Sequence, residues 1–191
     1  AILAGDPAAL GDGPPVAAMV IQSTNPAVVA PESLAVRRGL LREDLFLCVH
    51  EQFMTDTARL ADVVLPATTF PEHDDLYTAS GHTFLQAARA VVPPLGECRS
   101  NHRFIGQLAE RLGIAHPAFA MGEWELVDQV LRASGKPGAD EVLAQGWVDC
   151  AAPFAQAHFL EGFGQPDGRF RFAPDWSALG PDHAAMPALP D

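Results

Sequence analysis

Basic residues are scarce in this chain. Twelve Lys and Arg stand against 24 Asp and Glu, for a formal net charge of −12 at pH 7. A surface of that sign repels phosphate backbones, which argues against nucleic acid or an anionic membrane as a partner. An anionic small ligand would have to be held by backbone N–H groups and helix N-termini, with no basic patch to help. Cysteine is sparse too. Cys48, Cys98 and Cys150 are widely separated and odd in number. They make no CxxC, no zinc spacing and no disulfide framework, so a reducing compartment such as the cytoplasm fits best. No apolar run is long enough to span a bilayer, and no signal peptide is seen, so membrane insertion is not expected. The chain opens at Ala1 without methionine and closes on a Pro/Ala tail, as an excised piece would, which leaves folded export to the periplasm open. G-x-S-x-G, P-loop, G-x-G-x-x-G and HExxH are all missing, so no residue stands out as catalytic or metal-ligating.

What is present is a core. Hydrophobic residues make up 48% of the 191 and charged ones only 19%, enough for one folded domain and too apolar for general disorder. Residues 1–15 read as a Gly/Pro/Ala-rich lead-in, 16–175 as the domain, and 176–191 as a linker or tail. Strands are expected at Val16–Ile21, Leu45–Val49 and Val63–Leu65. Helices are expected from Pro31 to about Leu41 and from Thr55 to Leu60. Such alternation builds a three-layer α/β fold around a mostly parallel Rossmann-like sheet, because parallel strands need crossovers that cover both faces. Residues 72–82 read as a polar loop, and Thr83–Val92 as extended. Amphipathic helices follow at Asn101–Leu112 (with Asn101 as cap), Glu123–Ala133 and Asp140–Ala144. Gly168–Phe172 alternates basic and aromatic residues like a half-exposed strand.

In a parallel sheet, ligands sit beyond the carboxyl ends of the strands. That edge holds Asn25 after strand one, Glu51 after strand two, and Thr68 and Thr69 after strand three. An Asn amide there reads a base edge or a ribose, or merely shapes the Asn-Pro turn. A carboxylate at Glu51 accepts from a ribose hydroxyl or a guanine amine, or is a solvated loop acid. Thr55 and Thr57, flanking Asp56, open the second helix and offer hydroxyls and free N–H groups to an anion, or else Asp56 repels a phosphate there and only complements the helix dipole. Asp62 precedes strand three, falls at the opposite edge and reads as structural. The run Glu72-His73-Asp74-Asp75 reads as a solvated loop, since adjacent charges do not converge on one ion. Cys48 reads as a small buried hydrophobe.

Gln22-Ser23-Thr24-Asn25-Pro26, Glu51 through Ala58, Ala61-Asp62-Val63-Val64-Leu65-Pro66 and Glu72 occur in an order that resembles the molybdopterin oxidoreductase family, the enzymes of the dimethyl sulfoxide reductase and formate dehydrogenase type. Gly81–Gln86, Pro93–Arg99 and the helix to Gly113 continue in register. The resemblance implies an internal Rossmann-like domain that holds the guanosine end of a molybdopterin guanine dinucleotide. Asn25, Glu51, Thr55, Thr57 and Thr68 would face it. It implies molybdenum or tungsten in the full-length protein. A metal ligand, an iron–sulfur segment and a C-terminal barrel would come from the rest of a parent oxidoreductase chain, with an electron-transfer partner beyond it. The isolated piece would then be inactive. A non-catalytic scaffold subunit, as in the large subunit of respiratory NADH dehydrogenase, is the alternative; the polar edge favours binding.

Overall fold

The computed structural model describes residues 3, 11, 13–170 and 172. The 176–191 tail and most of the 1–15 lead-in lie outside them. The chain divides into two compact units, residues 1–148 and 149–191.

The first unit is built on a parallel sheet of β1 (Ala18–Gln22), β2 (Phe46–Glu51) and β3 (Val63–Pro66), with β2 in the centre. All three strands lie within a residue or two of their predicted positions. Gln22 stands opposite His50, and His50 opposite Leu65. Ile21, Leu47 and Val49 bury one face against Leu40 and Ala58. Leu40 belongs to α2 (Ser33–Leu40), which follows the short α1 (Pro26–Val29). Pro26 suits a first helical turn, where no N–H partner is needed. Arg37 and Arg38 sit in the last turn of α2, where the dipole favours cations.

The predicted helix over Thr55–Leu60 is only a single 3₁₀ turn, Ala58–Leu60. The crossover is too short for more. Asp62 is already bonded back to the start of β2, its N–H donating to the Leu47 carbonyl at 2.9 Å and its carboxylate accepting from the Leu47 N–H at 2.7 Å.

A second correction concerns the polar loop expected over 72–82. Asp75–Ala79 is a strand, β4, paired antiparallel with β5 (His82–Ala88). Polar side chains on a solvated strand face imitate a loop in sequence. The chain then returns to the parallel sheet: Ala67 and Arg99 bridge in parallel, with Arg99 N–H on the Pro66 carbonyl and Thr68 N–H on the Arg99 carbonyl, both at 3.1 Å.

Four helices complete the unit: α3 (Asn101–Arg111), α4 (Pro117–Ala120), α5 (Glu123–Ala133) and α6 (Ala139–Gln145). The cap of α3 is Ser100, whose Oγ accepts from the Arg103 N–H at 3.2 Å; Asn101 is its first residue and is used elsewhere. Phe104 of α3 stacks on His50, so α3 covers the sheet face opposite α2. This gives the three-layer α/β arrangement that the sequence implies.

The second unit contains one helical turn, α7 (Phe154–Ala157), and a chain of ring contacts from Phe159 through Phe163 and Phe170 to Phe172. The strand predicted at Gly168–Phe172 does not form at 168–170 or 172, where rings pack on each other and Gly168 turns with φ 67°. No helix among the described residues is long and apolar enough to cross a membrane.

Candidate functional site

The carboxyl edge of the parallel sheet opens into a cleft of about 370 Å³, lined by Ser23, Thr24 and Asn25 after β1, His50, Glu51 and Gln52 at the end of β2, and Ala67 after β3. Its size falls within the range of small-molecule sites, roughly 300–1,000 Å³. Cys48 is buried, as expected for a small hydrophobe, and burial pushes its thiol pKa up.

Asn25 and Glu51 lie on the cleft wall, where the sequence places them. Asn25 Oδ1 accepts from the Thr57 hydroxyl at 2.6 Å and from the Thr57 N–H at 3.2 Å. Its Nδ2 has no hydrogen-bond partner among the described residues. Glu51 Oε1 accepts from the Gln52 N–H at 2.7 Å, which orients the carboxylate and leaves the second oxygen unpartnered among the described residues.

The three threonines lie outside the lining. Thr55 is half-buried at the start of the crossover, with Oγ1 accepting from the Ala58 N–H at 3.1 Å. Thr57 is fully buried, and its Oγ1 also accepts from the Ala27 N–H at 3.0 Å. Thr68 is 3% exposed; its hydroxyl bonds His73 Nδ1 at 2.8 Å, and its carbonyl accepts from Gln52 Nε2 at 2.9 Å. Thr57 and Thr68 therefore brace the cleft from behind.

The 72–75 run is not a freely solvated loop. Glu72 closes a capping box with Thr69, accepting from the Thr69 N–H and hydroxyl at 2.7 and 2.8 Å and from the Leu95 N–H at 2.7 Å. Those bonds, the Thr69 N–H foremost, hold its carboxyl below the ordinary range. No group of three His, Cys, Asp or Glu suited to a metal ion occurs among the described residues.

His50 belongs to none of the motifs named above. It is the last but one residue of β2 and 1% exposed. Its ring stacks on Phe104 with centroids 4.6 Å apart and planes 16° from parallel, and Gln22 Nε2 lies 3.0 Å from Nδ1. Burial pushes its pKa down, against weaker opposing pulls from the Arg99 and Pro66 carbonyls, the Asn101 side chain and Glu51. The ring is therefore uncharged at neutral pH. Nε2 is buried without a hydrogen bond of good geometry. A signal was present: two polar residues, Gln22 and His50, face each other at the end of an otherwise apolar strand pair.

A larger open groove, about 980 Å³, lies between α3 and α4. Its His102 is spent on the Met121 carbonyl, at 2.9 Å from Nε2. The strand-end rule and the free polar atoms of Asn25 and Glu51 favour the smaller cleft.

The sequence profile of the molybdopterin oxidoreductase family matches residues 10–111, more than half of the chain. The chain belongs to the molybdopterin oxidoreductase family. Among its relatives, "Probable oxidoreductase YoaE" of Bacillus subtilis is 43% identical over 129 residues, covering 68% of this chain and 19% of that protein. "F420-dependent formate dehydrogenase subunit alpha" of Methanocaldococcus jannaschii is 40% identical over 95 residues, 50% of this chain and 14% of that protein. In three dimensions, "Acetylene Hydratase from Pelobacter acetylenicus" superposes with a TM-score of 0.70 at 25% identity, over 98% of this chain and 26% of that one. The chain thus spans between 14% and 26% of the length of these relatives. Family membership implies a molybdenum or tungsten pterin cofactor and an oxidoreductase setting.

Proposed function

We propose that this chain holds the guanosine end of a molybdopterin guanine dinucleotide in the cleft beyond β1–β3, as one domain of a larger oxidoreductase. The observation that carries the reading is Glu51: a carboxylate at the carboxyl end of the central strand, oriented by the Gln52 N–H and with one oxygen left over. An ionised carboxylate only accepts hydrogen bonds, so it selects donors such as ribose hydroxyls or the guanine N1–H and exocyclic amine. Asn25 supplies the complementary donor through Nδ2. Thr55 keeps its hydroxyl hydrogen for a phosphate oxygen. Thr57 and Thr68 act from behind, by fixing Asn25 and Gln52. The donor set thus fits a nucleotide without a basic patch, as the acidic surface requires.

When bound, the group supplies two-electron redox chemistry at its metal. In this reading the metal's protein ligand, any iron–sulfur cluster and the electron-transfer partner reside in other parts of a longer protein, and this chain alone does not turn over.

Titration of GDP into the isotopically labelled chain, followed by NMR, tests the site. Shifts are expected at Ser23–Asn25 and Glu51–Thr55, and Glu51→Gln should weaken binding about tenfold, the worth of a hydrogen bond to a charged group. Shifts confined to the opposite edge, around Ala18 and Asp62, or to the α3–α4 groove would overturn the assignment.

A further inference from the structure

The first wall of the cleft is a strained turn. Ser23 has φ 52°, in the left-handed region that residues with a side chain seldom enter. It is exposed, so packing does not hold it there. A side chain from a distant element does: Asn101, the first residue of α3, donates from Nδ2 to Ser23 Oγ at 3.0 Å. Asn101 Oδ1 accepts in turn from Gln22 Nε2 at 3.2 Å. The same Gln22 nitrogen lies 3.0 Å from His50 Nδ1.

These contacts form one directional relay. A glutamine amide has a donor end and an acceptor end, and either fits the same space. What His50 presents at Nδ1 decides which end faces it. A lone pair there draws the NH₂ end of Gln22, and the second hydrogen of that NH₂ is then available to Asn101 Oδ1. That bond commits the Asn101 NH₂ to Ser23. Phe104 lies flat against the His50 ring and fixes its plane. With Nδ1 as acceptor the proton sits on Nε2, which is buried without a good partner. Burying an unsatisfied donor is costly, and a leucine would fill the place without that cost.

We propose that His50 and Asn101 are positioning residues of the cleft: the Nδ1 lone pair fixes the Gln22 amide, and Asn101 passes that orientation on to Ser23, holding the left-handed turn that presents Thr24 and Asn25 to the ligand. The link to binding rests on the cleft being the nucleotide site; the relay itself does not.

Two readouts keep those claims apart. The first needs no nucleotide. ¹⁵N NMR of the histidine-labelled chain at neutral pH should find His50 with its proton on Nε2, and a proton on Nδ1 overturns the relay. Asn101 is exposed, so Asn101→Ala should fold; it removes both the donor to Ser23 and the acceptor for Gln22. The backbone coupling constant of Ser23 should then move toward negative φ, and an unchanged value overturns the proposal even if GDP never binds.

The second readout is GDP affinity. His50→Phe keeps a flat ring against Phe104 and removes the acceptor, and should weaken binding about fivefold, the worth of one hydrogen bond. Ser23→Gly adopts a positive φ freely, so adding His50→Phe to it should cost less than about twofold. His50→Asn, which offers an amide oxygen near the place of Nδ1, should recover part of the loss. An equal loss from His50→Phe with and without Ser23→Gly would show a general packing defect and sink the positioning role. Should His50→Phe fail to fold, Asn101→Ala alone carries the affinity test, with the same fivefold expectation and with unchanged affinity overturning the role.

Discussion

Asn25 and Thr57, separated by 32 positions in the sequence, are joined by a 2.6 Å hydrogen bond from the threonine hydroxyl to the amide oxygen. The bond fastens the turn after β1 to the crossover between β2 and β3. The same hydroxyl accepts from the Ala27 N–H, so one buried oxygen settles two groups of the cleft's first wall. Thr57→Val keeps the shape and removes both bonds, leaving the Ala27 N–H buried and unpaired. It should cost about 1–3 kcal/mol of stability, read as a lower urea midpoint at unchanged m. Thr57→Ser should cost less than half as much.

His50 sets a pH dependence. Its folded pKa lies below its unfolded value, so the unfolded chain binds the proton more readily. Stability is therefore full above the unfolded pKa, about 6.5, and falls as pH drops from there toward the lower folded value. Around the ring, Glu51 is the acid that favours the charged form, and the Arg99 and Pro66 carbonyls assist it; burial outweighs them. His50→Asn should flatten the slope of stability against pH just below 6.5. The separate loss from Glu72, whose carboxyl is held low by Thr69, begins only in the acid range of carboxylates and should survive that substitution. An unaltered slope in His50→Asn would refute the assignment.

Asp62 separates the two edges of the sheet. Its carboxylate serves the Leu47 N–H at the amino end, away from the cleft. Asp62→Ala should lower stability by about 1–3 kcal/mol, as for a lost hydrogen bond to a charged group, and leave GDP affinity unchanged. A loss of affinity with intact stability would place the ligand at the wrong end.

Arg89 ties the hairpin to α5. Its guanidinium lies 3.8 Å from the Trp124 ring centre and 3.1 Å from Asp74, beyond the end of β5. Arg89→Ala should cost on the order of 1 kcal/mol and speed amide exchange in β4 and β5. Arg89→Lys should recover little, because a compact ammonium does not stack as a planar fork does. Equal exchange rates in all three proteins would show the contact to be idle.

The parallel sheet was legible because its strands are apolar runs closed by Asn-Pro and Pro-Ala turns, a pattern that burial on both faces sets for the central β2. The hairpin was not, because Asp75 at its start and Ser80-Gly81-His82 at its turn read as loop, and the segment becomes strand only by pairing. Asn25 and Glu51 could be placed at the cleft, since position after a strand is enough to bring a residue to the edge. The burial of Thr57 and Thr68 could not, because it depends on Ala27 and His73, partners that no local pattern names. The relay through Gln22, His50 and Asn101 needs α3 folded back over the sheet, a tertiary fact; only the opposed polar pair of β1 and β2 announced it.

The bridge between Ala67 and Arg99 also has a topological consequence. It draws the neck of the excursion from Thr68 to Cys98 shut, so the chain leaves and rejoins the sheet at nearly one point. Changes within that bight reach the strands through the neck, through the bond from Gln52 to the Thr68 carbonyl, and through the packing of Arg89 on Trp124 of α5. Closing a longer loop costs little extra entropy, since the cost grows only with the logarithm of length. A change in the hairpin's length is thus absorbed within the excursion, and the three strand ends keep their spacing as long as the neck is closed.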